Sequence, residues 1–326
     1  MSSPNFTNPM LSIIIPVYNV AATIERCLDS LLNQSFKSIQ IICVDDCSSD
    51  GSSEILRRYE SKYPDIITYT QTGKRSGPGG ARNFGMSLSR GQYISFIDGD
   101  DWVDSSLYSV VIESMCTNDA DIAIFGIKDE YGFSASSKVR YEYPYFNSVD
   151  NAFALHLLTR AYDNNTFFSP MVCQKIYKRS FLYEHQLSFL ANSYYEDDLF
   201  SFCCFLYESN IITVPGVYYH YYQRSDSVTH TFSKKHVDDL VQLTSNLKET
   251  LIKNDLWSAK RTDYFAYCSK CIRSTIETLF RVEPDIKSQK RYLSYLLTQL
   301  QSRIAIDEWF DYMDIHTIRR LFGQNI

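Results

Sequence analysis

The sequence predicts an α/β fold: a mainly parallel central sheet flanked by helices, followed by a C-terminal helical appendage. Two observations carry this. In the first third of the chain, short apolar runs alternate with stretches whose apolar residues recur at three-four spacing. After about Ser233 the strand pattern vanishes and helical spacing takes over. Of the 326 residues, 44% are hydrophobic and 15% aromatic, enough to bury a large core.

Leu11–Val17 has the apolar character of a strand, and Ile24, Cys27, Leu28, Leu31 and Leu32 then share one helix face. Ile39–Val44 predicts a second strand and Ser52–Tyr63 a second amphipathic helix. Ile66–Thr70 follows as a third strand, Ala81–Ser89 as a helix and Tyr93–Ile97 as a fourth strand. Runs this apolar suit strands buried on both faces, and their alternation with helices implies parallel pairing through right-handed crossovers. From Tyr141 to Tyr222 the pattern is less regular. It predicts a helix near Asp150–Ala161, a strand at Met171–Tyr177, a helix opening at Glu196, and strands at Ile211–Val214 and Val217–Tyr222 around Pro215-Gly216.

A net charge of −6 provides no long-range attraction for a polyanion, which excludes nucleic acid as a partner while allowing a nucleotide as a small ligand. The nine cysteines (27, 43, 47, 116, 173, 203, 204, 268 and 271) lack the spacing of a disulfide framework. Cys268-Ser269-Lys270-Cys271 is an isolated Cys-x-x-Cys; reduced buried thiols are the simpler reading and a zinc site the sharper one. Met1–Pro9 lacks the basic and apolar regions of an export signal, and no apolar stretch approaches the ~20 residues that span a bilayer. A cytoplasmic location is expected, with any membrane contact peripheral.

Ligands on such sheets bind beyond the carboxyl ends of the strands. There the sequence places Pro16-Val17-Tyr18-Asn19, Asp45-Asp46-Cys47, the glycine-rich segment Gly73–Asn83 and Asp98-Gly99-Asp100-Asp101. Carboxylates gathered at one sheet edge repel unless a cation sits among them, and Mn²⁺ or Mg²⁺ accepts one or two carboxylates with phosphate oxygens and water. The plainer reading is that Asp98–Asp104 caps the helix that follows. The glycine-rich segment offers N–H groups and Arg82 to an anion, or is simply a flexible turn with Arg82 solvated. Asp46 and Tyr18 suit a nucleobase. Glu196-Asp197-Asp198, at a predicted helix start, offers either a general base or a helix cap. Between the last strand and the tail, Arg224 and Ser227 can close over a diphosphate, and His220 and His230 are additional ligand candidates or structural histidines.

Taken in this order, Ser12–Asn19, Val44–Gly51, Gly80–Gly85 and Phe96–Asp101 resemble glycosyltransferase family 2, the GT-A-fold group typical of bacterial surface polysaccharide assembly. The likeness continues through Lys175–Leu182, Glu196-Asp197 and the Tyr-rich stretch to Ser227. The resemblance implies a GT-A domain over 10–232, with a nucleotide-sugar half at 10–125 and an acceptor and catalytic half at 126–232. A flexible tail at 1–9 and a helical region at 233–326 flank it.

It further implies a nucleoside-diphosphate sugar donor, UDP favoured, bound by Pro16, Val17, Tyr18, Asn19, Asp46, Gly80, Arg82, Asn83, Asp98, Gly99, Arg224 and Ser227. Asp98 and Asp100 would hold the metal. Asp197 would be the base of an inverting, single-sugar transfer to a saccharide or lipid-linked saccharide, with Glu196 and Asp198 as additional candidates. Two features depart from the pattern: Cys47 where glycine is frequent, and Asp198 as a third acid. The helical region, with Trp257, Trp309 and Phe310 among its aromatics, suits ordinary packing or a homodimer better than an interfacial helix at the inner face of the plasma membrane, because Asp307, Glu308, Asp311 and Asp314 interrupt its apolar face. The rival readings are a nucleotidyltransferase, a phosphatase using Asp98, and a nucleotide-sugar-binding module without catalysis.

Overall fold

The computed structural model describes residues 8–131, 136–159, 168–223 and 231–303. They divide into two compact units, one within 1–154 and 170–224 and the other within 155–169 and 225–326.

The first unit is built on a ten-stranded sheet. In chain order its elements begin with β1 (Leu11–Val17), α1 (Ile24–Leu32), β2 (Ile39–Asp45), α2 (Ser52–Lys62), β3 (Ile67–Gln71), α3 (Gly77–Leu88) and β4 (Tyr93–Phe96). These are the predicted alternation, and β3, β2, β1 and β4 lie side by side in parallel. Ile13, Ile14, Ile15, Ile41, Ile42 and Cys43 are fully buried, because helices cover both faces of these strands. α3 begins at Gly77, ahead of the predicted Ala81, with Pro78 in its first turn where a missing N–H costs nothing.

β5 (Trp102–Val103), α4 (Leu107–Asn118), β6 (Ile122–Tyr131), β7 (Ser136–Tyr141) and β8 (Phe146–Val149) follow. α5 (Asn151–Thr159), β9 (Lys175–Lys178), α6 (Arg179–Glu184), α7 (Glu196–Cys204) and β10 (Ile211–Gln223) complete the series. The path across the sheet is β3-β2-β1-β4-β9-β6-β10-β5, with β7 on β6 and β8 on β10. β9 is antiparallel to both β4 and β6, and β10 is parallel to β6, so β6 and β10 run in the direction of the first four strands. The expected strand at Met171–Tyr177 is a 3₁₀ turn at Val172–Gln174 followed by β9. The two strands expected around Pro215-Gly216 are one, since β10 passes this pair through register shifts against β6. Pro215 has no N–H to give the ladder, and a bulge accommodates it.

The second unit contains the C-terminal part of α5 with α8 (Lys234–Lys253), α9 (Trp257–Val282) and α10 (Ile286–Arg303). Leu240, Leu243, Leu247 and Leu251 on α8 and Cys268, Ile272, Ile276 and Leu279 on α9 form buried stripes at helical spacing. Each such leucine contributes about 2 kcal/mol by leaving water. Tyr264 donates to the Thr244 carbonyl at 3.2 Å, tying α9 to α8. Cys268 and Cys271 are buried thiols, and no group of three or more metal ligands occurs among the described residues. Among those residues no helix is long and apolar enough to cross a membrane. The tail expectations at Met1–Thr7 and at Ile306–Phe322, including Trp309 and Phe310, lie outside the described residues.

Candidate active site

Strand register brings the distant loops together. Val17 pairs with Asp45 and Ile14 with Phe96, so Pro16–Asn19, Asp46 and Asp98–Asp101 emerge from one sheet edge. The Asp46 N–H donates to the Val17 carbonyl at 2.8 Å, continuing the ladder past the strand ends.

The acidic turn is fixed from two sides. From the α1 side, Thr23 Oγ1 donates to the Gly99 carbonyl at 3.2 Å and Arg26 Nη2 to the Asp100 carbonyl at 2.8 Å. A methyl group at Gly99 would lie 3.0 Å from Val20 Cγ2, so glycine permits this close approach. From β10, the Tyr219 hydroxyl donates to Asp101 Oδ2 at 2.5 Å and the Tyr222 N–H to Asp101 Oδ1 at 2.7 Å. Asp101 is fully buried; burial first, then Asp100 and Asp98, push its pKa well above the ordinary carboxylate range. Asp101 is therefore an anchor, whereas the Asp98 side chain keeps 32% of its surface exposed and Asp100 is half-buried.

Arg26 is a residue that sequence reasoning missed. Its guanidinium lies 3.8 Å from the Trp102 ring centroid and 4.6 Å from that of Tyr222, and its Nε is buried without a partner. It places a positive charge behind Asp100 and Asp101 of the acidic turn. No local signal marks it, because a polar residue on an amphipathic helix is expected to be solvated.

Arg82 links the acidic turn to α7. Its Nη2 lies 2.8 Å from Asp98 Oδ1, and its Nη1 lies 3.0 Å from Glu196 Oε1 and 2.9 Å from Asp197 Oδ1. The side chain is 4% exposed. Burial opposes its charge, but Asp197, Asp98 and Glu196 outweigh burial and hold its pKa well above the usual value. Gly79 makes the juxtaposition sterically feasible: a Cβ there would meet the Leu190 carbonyl at 2.5 Å, so only glycine lets the segment before α7 lie against α3. Asn83 secures the same seam, donating to the Phe189 carbonyl at 2.9 Å and accepting the Phe189 N–H at 2.8 Å.

The two acids of α7 differ in access. The Glu196 side chain is 10% exposed, and burial, then Asp197, push its pKa up to about 8 against the opposing pull of Arg82. The Asp197 side chain is 25% exposed, with Val172 N–H at 3.2 Å from Oδ2. Burial and Asp98 raise its pKa while Arg82 lowers it, and the net direction is upward. Asp198 is half-buried on the same turn.

The remaining candidates spend their polar groups on the loops. Asp46 accepts from Thr72 Oγ1 at 2.7 Å, from Ser76 N–H and Oγ at 2.8 and 2.9 Å, and from Gly77 N–H at 2.8 Å. It thereby ties the glycine-rich segment, Gly80 included, to the end of β2. Asn19 accepts from the Ser49 N–H at 2.8 Å. Tyr18 is exposed, with the Arg75 guanidinium 3.5 Å over its ring. Cys47 sits at φ +67, a left-handed conformation that glycine adopts without strain. His220 has Nδ1 2.7 Å from Glu130 and Nε2 2.9 Å from Asp104, so both ring nitrogens face carboxylates within the fold. Arg224, Ser227 and His230 lie outside the described residues.

Residues 12–185 match the family model described as Glycosyl transferase family 2. The poly(ribitol-phosphate) beta-glucosyltransferase of Bacillus spizizenii is 32% identical over 216 residues, covering 65% of this chain and 32% of that protein. Glycosyltransferase GlyA of Streptococcus pneumoniae serotype 4 is 29% identical over 249 residues, covering 75% of this chain and 35% of that protein. The chain thus spans about a third of the length of these two relatives. Among solved structures, the 1–349 portion of S. aureus TarS in complex with UDP-GlcNAc superposes with a TM-score of 0.71 at 18% identity, covering 93% of this chain and 83% of that one. This is a likeness of fold.

Proposed function

This chain belongs to glycosyl transferase family 2, and from that premise we propose that it is an inverting, non-processive enzyme that moves a sugar from a UDP-sugar to a hydroxyl of a saccharide or lipid-linked saccharide. The observation that carries this reading is the bridge made by Arg82, which joins Asp98 of the strand-end turn to Asp197 of α7 through one guanidinium. A donor-side acid and an acceptor-side acid are thereby held within one side chain's reach.

In this mechanism Asp197 removes the acceptor hydroxyl proton as that oxygen attacks the anomeric carbon. The bond from carbon to the diphosphate oxygen breaks as the new carbon–oxygen bond forms, giving inversion without a covalent sugar intermediate. Asp197 fits the role better than Glu196 because its carboxylate is the more exposed, and its raised pKa brings it toward the basicity that proton abstraction near neutral pH favours. Arg82 orients it through Oδ1. Asp101, Thr23 and Arg26 hold the acidic turn in place.

Asp98 and Asp100 fit a hard divalent cation. Both are partly exposed, and one Asp98 oxygen is engaged by Arg82, so the pair offers the one or two oxygen ligands that Mn²⁺ or Mg²⁺ takes when phosphate and water complete its shell. When bound, the cation supplies positive charge against the leaving diphosphate.

UDP is favoured as the carrier because the fold matches TarS, whose structures hold UDP-GlcNAc and UDP. A polymeric acceptor is supported by the name of one relative, a poly(ribitol-phosphate) beta-glucosyltransferase. The test is a binding and hydrolysis screen of nucleotide-sugars with Mn²⁺ or Mg²⁺, repeated after chelation. Metal-dependent binding of one UDP-sugar is expected; failure of every donor to bind in a metal-dependent way refutes the reading.

A further inference from the structure

A cavity of about 520 Å³ opens at the opposite edge of the sheet, beside the amino ends of β1 and β4, and none of the eight described residues that line it is acidic. Arg90 follows α3 and Arg179 begins α6; Gln92, Ser180, Tyr183 and Met10 lie with them on the wall. β1 runs seven residues from this edge to the catalytic one, a separation of roughly 20 Å at ~3.3 Å per residue. The cavity is therefore separate from the donor cleft.

The lining offers donors almost without competition. Arg179 uses Nε on the Gly91 carbonyl at 2.7 Å, which fixes the guanidinium and leaves both Nη groups without a hydrogen bond or ion pair among the described residues. Arg90 is held through its main chain, where its N–H meets Ser12 Oγ at 3.2 Å and Gln40 Oε1 at 3.1 Å; its guanidinium has no partner among the described residues. The Tyr183 ring lies 5.7 Å from the Arg179 guanidinium, giving the wall an aromatic surface beside the charge. Two guanidinium forks on one cavity wall, with no carboxylate among the described lining residues, match the oxygens of a phosphate better than any neutral ligand. The volume exceeds that of phosphate alone and lies within the range of small-molecule sites.

We propose that this cavity, built on Arg90 and Arg179, is a second binding site that takes a phosphate ester. The ester comes either from a soluble or polymeric polyol phosphate or from a phospholipid headgroup. The site is independent of the donor reading, since it shares no residue with the catalytic edge.

The experiment uses the full chain. Titration calorimetry with sn-glycerol 3-phosphate and inorganic phosphate measures the soluble arm; sedimentation with phosphatidylglycerol vesicles, against phosphatidylcholine vesicles, measures the lipid arm. Saturable binding in at least one arm is expected, weakened roughly tenfold or more by Arg90→Ala and abolished in Arg90→Ala/Arg179→Ala. UDP should not displace the bound ester, and hydrolysis of the donor should be unchanged in Arg90→Ala. Because Arg179 also supports the Gly91 carbonyl, the single Arg90→Ala protein, checked by its thermal melt, decides the matter if the double variant fails to fold. Absence of saturable binding in both arms, equal affinity in Arg90→Ala, or displacement by UDP overturns the proposal. Soluble esters alone, or anionic vesicles alone, each uphold the site and identify the source.

Discussion

Asp46 Oδ2 lies 2.8 Å from the main-chain nitrogen of Gly77, so the acid at the end of β2 holds the first residue of α3. With the further bonds to Thr72 and Ser76, this carboxylate organises the whole glycine-rich segment. Asp46→Ala leaves those donors without their acceptor and should cost about 1–3 kcal/mol. It should also raise the donor KM. Thermal unfolding and donor titration check both; an unchanged KM would confine Asp46 to stability.

Asp197→Asn preserves the shape of the side chain and removes its basicity. Transfer should fall by roughly 10²–10⁴, the usual contribution of a general base, while donor affinity stays within a factor of about three. Retained transfer would move the base to Glu196 or Asp198.

Glu196 gives the chain a pH-dependent stability. Folded, it keeps its proton up to about 8, whereas in the unfolded chain it loses the proton near the ordinary value of 4.5. The folded state thus binds more protons across this window, and stability falls as pH rises through it. The unfolding midpoint in chelator should drop between pH 5 and 8, with a shallower slope in Glu196→Gln. Equal slopes for the two proteins would contradict the assignment.

Arg26→Leu removes both the hydrogen bond to the Asp100 carbonyl and the charge stacked on Trp102. With the turn less firmly held, the divalent-metal concentration for half-maximal activity should rise about tenfold, equivalent to ~1.4 kcal/mol. Arg26→Lys should recover only part of this, because lysine lacks the planar fork. A metal titration of transfer rate distinguishes these outcomes.

Cys47→Gly should stabilise the chain by about 0.5–1 kcal/mol, since it relieves a left-handed residue whose thiol, among the described residues, makes only contacts of 3.6 and 3.8 Å to Thr72. A rise in melting temperature checks this.

Local pattern made the first half of the sheet legible. Leu11–Val17 and Tyr93–Phe96 are apolar because both their faces are covered, and that condition is written into the residues themselves. The direction of β9 is not, since Lys175–Lys178 would look the same paired either way. Nor was the single course of β10, because Pro215-Gly216 signals a break in isolation and a bulge only when β6 lies alongside. At the site, Asp46 and Asp98–Asp101 were legible from strand ends and Glu196-Asp197-Asp198 from a helix start. The partner of Arg82 was not, since a guanidinium beside a glycine-rich turn suits an anionic ligand as well as it suits the carboxylates of a helix 114 residues away. Arg26 was hidden for a similar reason, its aromatic neighbours lying on β5 and β10.

The shared guanidinium of Arg82 also constrains how such an enzyme can change. Asp98, Glu196 and Asp197 come from two segments that can drift separately in sequence, yet replacing either aspartate alters the charge balance at the guanidinium, and replacing Glu196 removes one of its hydrogen-bond acceptors. Their substitutions should be strongly non-additive. Efforts to retune the donor or the acceptor should therefore vary these four positions as one combinatorial block, because single-site walks pass through intermediates with an uncompensated buried charge.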